Sequence, residues 1–193
     1  MAVARFEMCK KINLTKFGKA VDLNLVDKAL ISFLKKFNKK KNYYTSSSCT
    51  GRIMVLGLDE KEVKKPKLFV FKAHKKIKLK EIKEALKEEK YKELWLKQEP
   101  YIFHITAKSL ETAEKLLKLK TDIGIRRGGI FFIKENKYLI ELMGSQHMSL
   151  PIKIDNNILF NNKQLGILVK KANTKLDRNY KILKEVCKEL LKL

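Results

Sequence analysis

The chain has 193 residues, 45% of them apolar, with no apolar run long enough for a membrane span and no secretory signal, so residues 1–193 are expected to form a single cytoplasmic domain. A formal net charge of +23 points to a polyanionic partner, RNA or DNA, through phosphate neutralisation; no helix joins a basic face to exposed aromatics, which excludes a membrane-surface protein. Three distant cysteines exclude a disulfide framework, and no Cys or His pair has zinc-ligand spacing, so no metal is expected.

Taken in order, a short helix is expected over residues 3–11 and a longer one over 21–40, where Leu23, Val26, Leu30, Phe33, Leu34 and Phe37 recur at steps of three and four. Within the hydroxyl-rich stretch YYTSSSCTGR, residues 43–52, Ser47 to Thr50 read as a turn. Strand RIMVLG (52–57), the charged surface loop 58–66 and strand KLFVFKA (67–73) form a hairpin, followed by a short charged helix over 80–89. Strands follow at 93–98 and 101–106, then a helix over 110–119 behind an N-capping Ser109. A second hairpin, 129–134 and 137–142, turns at Glu135-Asn136, and another strand covers 150–155. From residue 164, Leu165, Val169, Ala172, Leu176, Tyr180, Leu183, Cys187 and Leu190 make one stripe along a long C-terminal helix. The class is α+β: a mostly antiparallel or mixed sheet packed by helices. No glycine-rich nucleotide fingerprint is present, which argues against a Rossmann or NTPase reading.

The hairpin registers gather polar chemistry at their open ends. In the first, Arg52 falls near Lys72 and Thr50 near His74; in the second, Arg126, Arg127, Gly128 and Gly129 neighbour Gly144, Ser145, Gln146 and His147. Among 39 lysines the five arginines stand out as the residues suited to bidentate phosphate or carboxylate contacts. Each feature also has a purely structural reading: serines 46 to 48 can cap a turn, Cys49 can be an inert buried thiol, and His104 can be a hydrogen-bonded strand residue.

Several blocks taken together resemble the tRNA wybutosine-synthesizing protein 3 family. They are YYTSSSCTGR, KAH, LKQEPYIFHI, AEKLLKLKTDIGIRRGGI, GSQHMSLP and ANTKLDR, six in order across most of the chain. The resemblance implies S-adenosylmethionine-dependent methylation of a ring nitrogen of 4-demethylwyosine, the tricyclic guanosine derivative beside the anticodon of phenylalanine tRNA. It departs from the family pattern at Thr15, Phe17, Gly128 and His147. Under this reading Ser47, Ser48, Cys49 and Thr50, with Gly128, Gly129, Glu141, Gly144, Ser145 and Gln146, are expected to hold the cofactor. Tyr43, Tyr44, Lys72, Arg126 and Arg127 are expected at the substrate, and Arg52 to grip a carboxylate or phosphate. His74 or His104 is the expected proton acceptor. Two other functions fit the residues: a tRNA-binding protein without catalysis, and a hydrolase using Cys49 with His74.

Overall fold

Apolar spacing accounts for most of the observed elements. The computed structural model describes residues 2–58, 68–134 and 137–193, with side chains from Arg5 onward; the expected charged loop beyond Leu58 and the turn at Glu135-Asn136 lie outside the described residues. The order is α1 (Ala2–Asp22), α2 (Lys28–Phe37), β1 (Tyr43–Cys49), β2 (Arg52–Leu58), β3 (Phe69–Ala73), α3 (Leu79–Ala85), β4 (Glu93–Glu99) and β5 (Ile102–Ala107). Then come α4 (Leu110–Asp122), β6 (Ile130–Lys134), β7 (Lys137–Met143), β8 (Met148–Ile154), β9 (Asn157–Ile158) and α5 (Asn162–Leu190). The class is α+β as expected, but the strands form two sheets, of order β1-β5-β7-β6 and β3-β2-β4-β8-β9, in which the paired strands run antiparallel. No helix among the described residues is long and apolar enough to cross a membrane.

The chain divides into two units, the first made of residues 1–50, 101–145 and 181–193. It contains the four-stranded sheet. On the sheet's inner face, the Phe33 ring of α2 packs tilted against Phe103 of β5 with centroids 5.3 Å apart, and the buried Tyr43 of β1 donates its hydroxyl to the Thr112 carbonyl of α4 at 2.8 Å. On the outer face, Phe6 of α1 covers Tyr44 at 5.3 Å. Leu183, Val186 and Leu190 of α5 are buried in this unit. Two readings needed correction here. The apolar spacing over 21–40 is not one helix: α1 runs on to Asp22, Asn24 adopts a left-handed φ of 55°, and α2 restarts behind Asp27. Ser47 to Cys49 are not in a turn but in strand β1, because β5 supplies the ladder and Asn38 satisfies the bulge at Ser46, accepting from the Thr45 N–H at 2.8 Å.

The second unit comprises residues 51–100 and 146–180. Alternation in β4 sends Leu94 and Leu96 inward, where they meet Ile53, Val55 and Ile152, Ile82 and Ala85 of α3, and Leu165, Val169, Ala172 and Leu176 of α5. Helix α5 also clamps the loop after β3. Asn173 accepts from the Ile77 N–H and donates to the Ile77 carbonyl, both at 2.9 Å, and Tyr180 donates its hydroxyl to the His74 carbonyl at 2.7 Å.

Candidate active site

Antiparallel pairing sets Ser47 of β1, His104 of β5 and Glu141 of β7 in one row across the outer face of the first unit's sheet. The inner-face neighbours Phe103 and Ile105 are fully buried, so alternation turns His104 outward, beyond the part of the face that Phe6 covers. Ser47 Oγ lies 2.5 Å from His104 Nδ1, and Glu141 Oε2 lies 3.1 Å from His104 Nε2. A carboxylate only accepts, so in the neutral form of the imidazole it selects the tautomer with the proton on Nε2, which leaves the Nδ1 lone pair facing the Ser47 hydroxyl. Chemically this is a base with an orienting carboxylate on one side and a hydroxyl on the other.

Backbone packing fixes Glu141. Gly128 has φ +84°, and a Cβ there would fall 2.1 Å from the Glu141 carbonyl oxygen, while the Gly129 carbonyl accepts from the Glu141 N–H at 2.9 Å. Only glycine permits both the conformation and the approach. The next row holds Cys49, Ile102, Met143 and Arg127, the last bridged to Met143.

Beside the edge strand β1 is a cavity of about 270 Å³. Ser46, Ser47 and Ser48 line one side; Phe17 and Ala20 of α1, Val26, and Leu34 of α2 form an apolar wall, and Lys16 adds a cation. Hydroxyls opposite an apolar wall suit a nucleoside, whose ribose hydrogen-bonds and whose base does not need to.

The remaining expected residues divide between the two units. Thr50 is already engaged, donating its N–H and hydroxyl to Asp27 Oδ2 at 2.6 and 2.8 Å. Tyr43 and Tyr44 are 4% and 5% exposed and present no face to a ligand, since the core takes both rings. The Gly144 N–H donates to the Tyr101 carbonyl at 3.0 Å, Ser145 closes the same segment, and Arg126 and Arg127 are exposed. The second hairpin pairs Ile130 with Ile140, one residue off the expected register, because Phe131 is bulged. In the second unit, Arg52 and Lys72 do converge, at 5.1 and 5.4 Å from the Phe69 ring centroid. His74 lies in the clamped loop of that unit, as described above. Gln146 also belongs to that unit, and His147 Nε2 lies 3.8 Å from Glu99 Oε1. Sequence reasoning missed Asp27, whose place before a helix signals only a cap, and the α1 residues of the cavity.

A family model described as Methyltransferase TYW3 matches residues 5–192. The chain belongs to this family. Among curated TYW3 relatives, a tRNA(Phe) 7-((3-amino-3-carboxypropyl)-4-demethylwyosine(37)-N(4))-methyltransferase of Thermococcus sibiricus is 31% identical over 97% of this chain and 95% of its own length. One of the same name from Methanocaldococcus jannaschii is 32% identical over 90% and 91%. The fold is shared with the PH1069 protein of Pyrococcus horikoshii, at TM-score 0.86 and 30% identity over 98% of this chain and 94% of that one. Membership makes the chain a methyltransferase without the Rossmann glycine fingerprint, in line with the two antiparallel sheets.

Proposed function

We propose that this TYW3 methyltransferase uses S-adenosylmethionine to methylate N4 of the 4-demethylwyosine-type base at position 37 of tRNA(Phe), the reaction named for its relatives. The observation that carries the reading is the Ser47–His104–Glu141 row, a positioned base on an open sheet face in an enzyme whose acceptor nitrogen must lose a proton. The whole chain acts as a single methyltransferase domain, since the family model spans both units.

The methyl donor's nucleoside suits the cavity beside β1: Ser46 and Ser48 would bond the ribose, and Phe17, Val26 and Leu34 would cover the adenine. When bound, the donor supplies an electrophilic methyl on a sulfonium, and the sulfur keeps the electrons of the broken bond. The protein aligns and deprotonates. As the acceptor nitrogen bonds to carbon, its proton passes to Ser47 Oγ, and the Ser47 proton passes to His104 Nδ1. The resulting imidazolium is held by the Glu141 carboxylate. The +23 charge supplies tRNA affinity by counterion release, so binding weakens steeply with salt.

The test is incubation of tRNA(Phe) carrying the demethylated tricyclic base with enzyme and S-adenosylmethionine, followed by nucleoside mass spectrometry. A gain of one methyl on that nucleoside is expected; no gain on intact substrate tRNA overturns the assignment.

A further inference from the structure

Strand β6 does not look like the rest of its sheet. It is the edge strand opposite β1, and all five of its residues are exposed. Four of them are large and apolar: Ile130 at 37%, Phe131 at 72%, Phe132 at 52% and Ile133 at 58%. Edge strands are ordinarily blunted by charge, because bare apolar edges invite aggregation. The charges here stand at the ends instead. Arg126 and Arg127 precede the strand and Lys134 closes it, all exposed and all cationic.

Position gives the patch a use. The bulge falls at Phe131, and the Phe131 ring lies 6.2 Å from the His104 ring at an interplanar angle of 34°. An exposed aromatic face therefore adjoins the base of the Ser47–His104–Glu141 row. Cations bracketing exposed aromatics are what an unpaired nucleic-acid strand requires: phosphates meet the charges and bases lie on the rings. A second copy of the chain fits less well. The bulge interrupts the ladder that it would extend, and antiparallel pairing of two β6 strands would set the arginine end of one against the lysine of the other.

We propose that β6 is the seat of the RNA loop: Phe131 stacks an unpaired base beside His104, while Arg126, Arg127 and Lys134 hold the flanking phosphates. The seat rests on the reading above only in taking RNA as the substrate. An aromatic at Phe131 is then a specificity-determining feature, because stacking needs a flat π-face and not merely apolar area.

The experiment uses the full chain and an unmodified RNA hairpin of the tRNA(Phe) anticodon stem and loop, with 2-aminopurine in the loop beside the anticodon. Affinity and 2-aminopurine fluorescence are read together for wild type, Phe131→Leu and Phe131→Tyr. Phe131→Leu is expected to weaken binding about tenfold and to abolish the fluorescence change, whereas Phe131→Tyr keeps both. Leucine binding within twofold of wild type overturns the seat, since apolar area alone then suffices. So does sedimentation showing a dimer that Phe131→Leu dissolves with RNA affinity unchanged. The hairpin has no methyl acceptor, so the two proposals fail separately: stacking without methyl transfer to demethylated tRNA overturns the reaction, and methyl transfer without stacking overturns the seat.

Discussion

Substituting Glu141 by Gln tests the proposed catalytic role of the Ser47–His104–Glu141 row with little change of shape. The amide oxygen can still accept from His104 Nε2, so the ring stays in place, but the charge that steadies the imidazolium is gone. At 3.1 Å between Oε2 and Nε2, Coulomb's law gives about 1.3 kcal/mol at the dielectric of water and about 5 kcal/mol at an effective value of about 20. The two side chains are 27% and 22% exposed, which sets the pair between those limits. A loss of about 2 to 3 kcal/mol from the transition state corresponds to a rate roughly 30- to 150-fold slower. The assay is single-turnover methyl transfer at saturating tRNA and S-adenosylmethionine, with tRNA affinity measured alongside. Affinity should hold while the rate falls, and Glu141→Asp should recover part of the loss. A Glu141→Gln rate within threefold of wild type would refute the argument, because no imidazolium then forms at the rate-limiting barrier.

Asp27→Ala removes the carboxylate that accepts from the N–H and hydroxyl of Thr50, a residue only 3% exposed; urea unfolding should show a loss of about 2 to 4 kcal/mol. Gly128→Ala places a Cβ 2.1 Å from the Glu141 carbonyl oxygen at φ +84°, so stability should drop by more than about 2 kcal/mol and methyl transfer should fall with it. Burial pushes the Cys187 thiol from 9.0 up to about 12. The fold therefore favours the protonated thiol: this stability is fully present below pH 9 and is lost as pH rises toward 12. Between pH 9 and about 10.5, wild type should lose about 2 kcal/mol more than Cys187→Ala in denaturant titrations.

What could be read in advance follows the range of the forces involved. The α5 stripe and the Ser109 cap, which accepts from the Thr112 N–H at 3.2 Å, both rest on local sequence pattern, and the structure matches them. Local pattern misled at Leu23, which continues the helical spacing although it is 68% exposed. Serines 46 to 48 have little strand preference of their own; pairing with residues more than fifty positions away makes them β1. His104 was visible as a polar residue alternating with apolar ones. Its partnership with Ser47 depends on that same distant register, and its Glu141 contact on another. Tyr43 and Tyr44 look like ligand platforms beside a hydroxyl-rich segment, but the core claims both rings.

Neighbouring strands β1 and β5 are joined by residues 51–100, all of which belong to the other unit. On the ribosome, Ser47 must therefore wait for His104, and both for Glu141, before their row across the sheet exists. Closing so long an excursion costs entropy before any ladder bond repays it, which slows folding. Dividing this protein into consecutive fragments should accordingly yield no working half, since neither unit is encoded by one uninterrupted stretch.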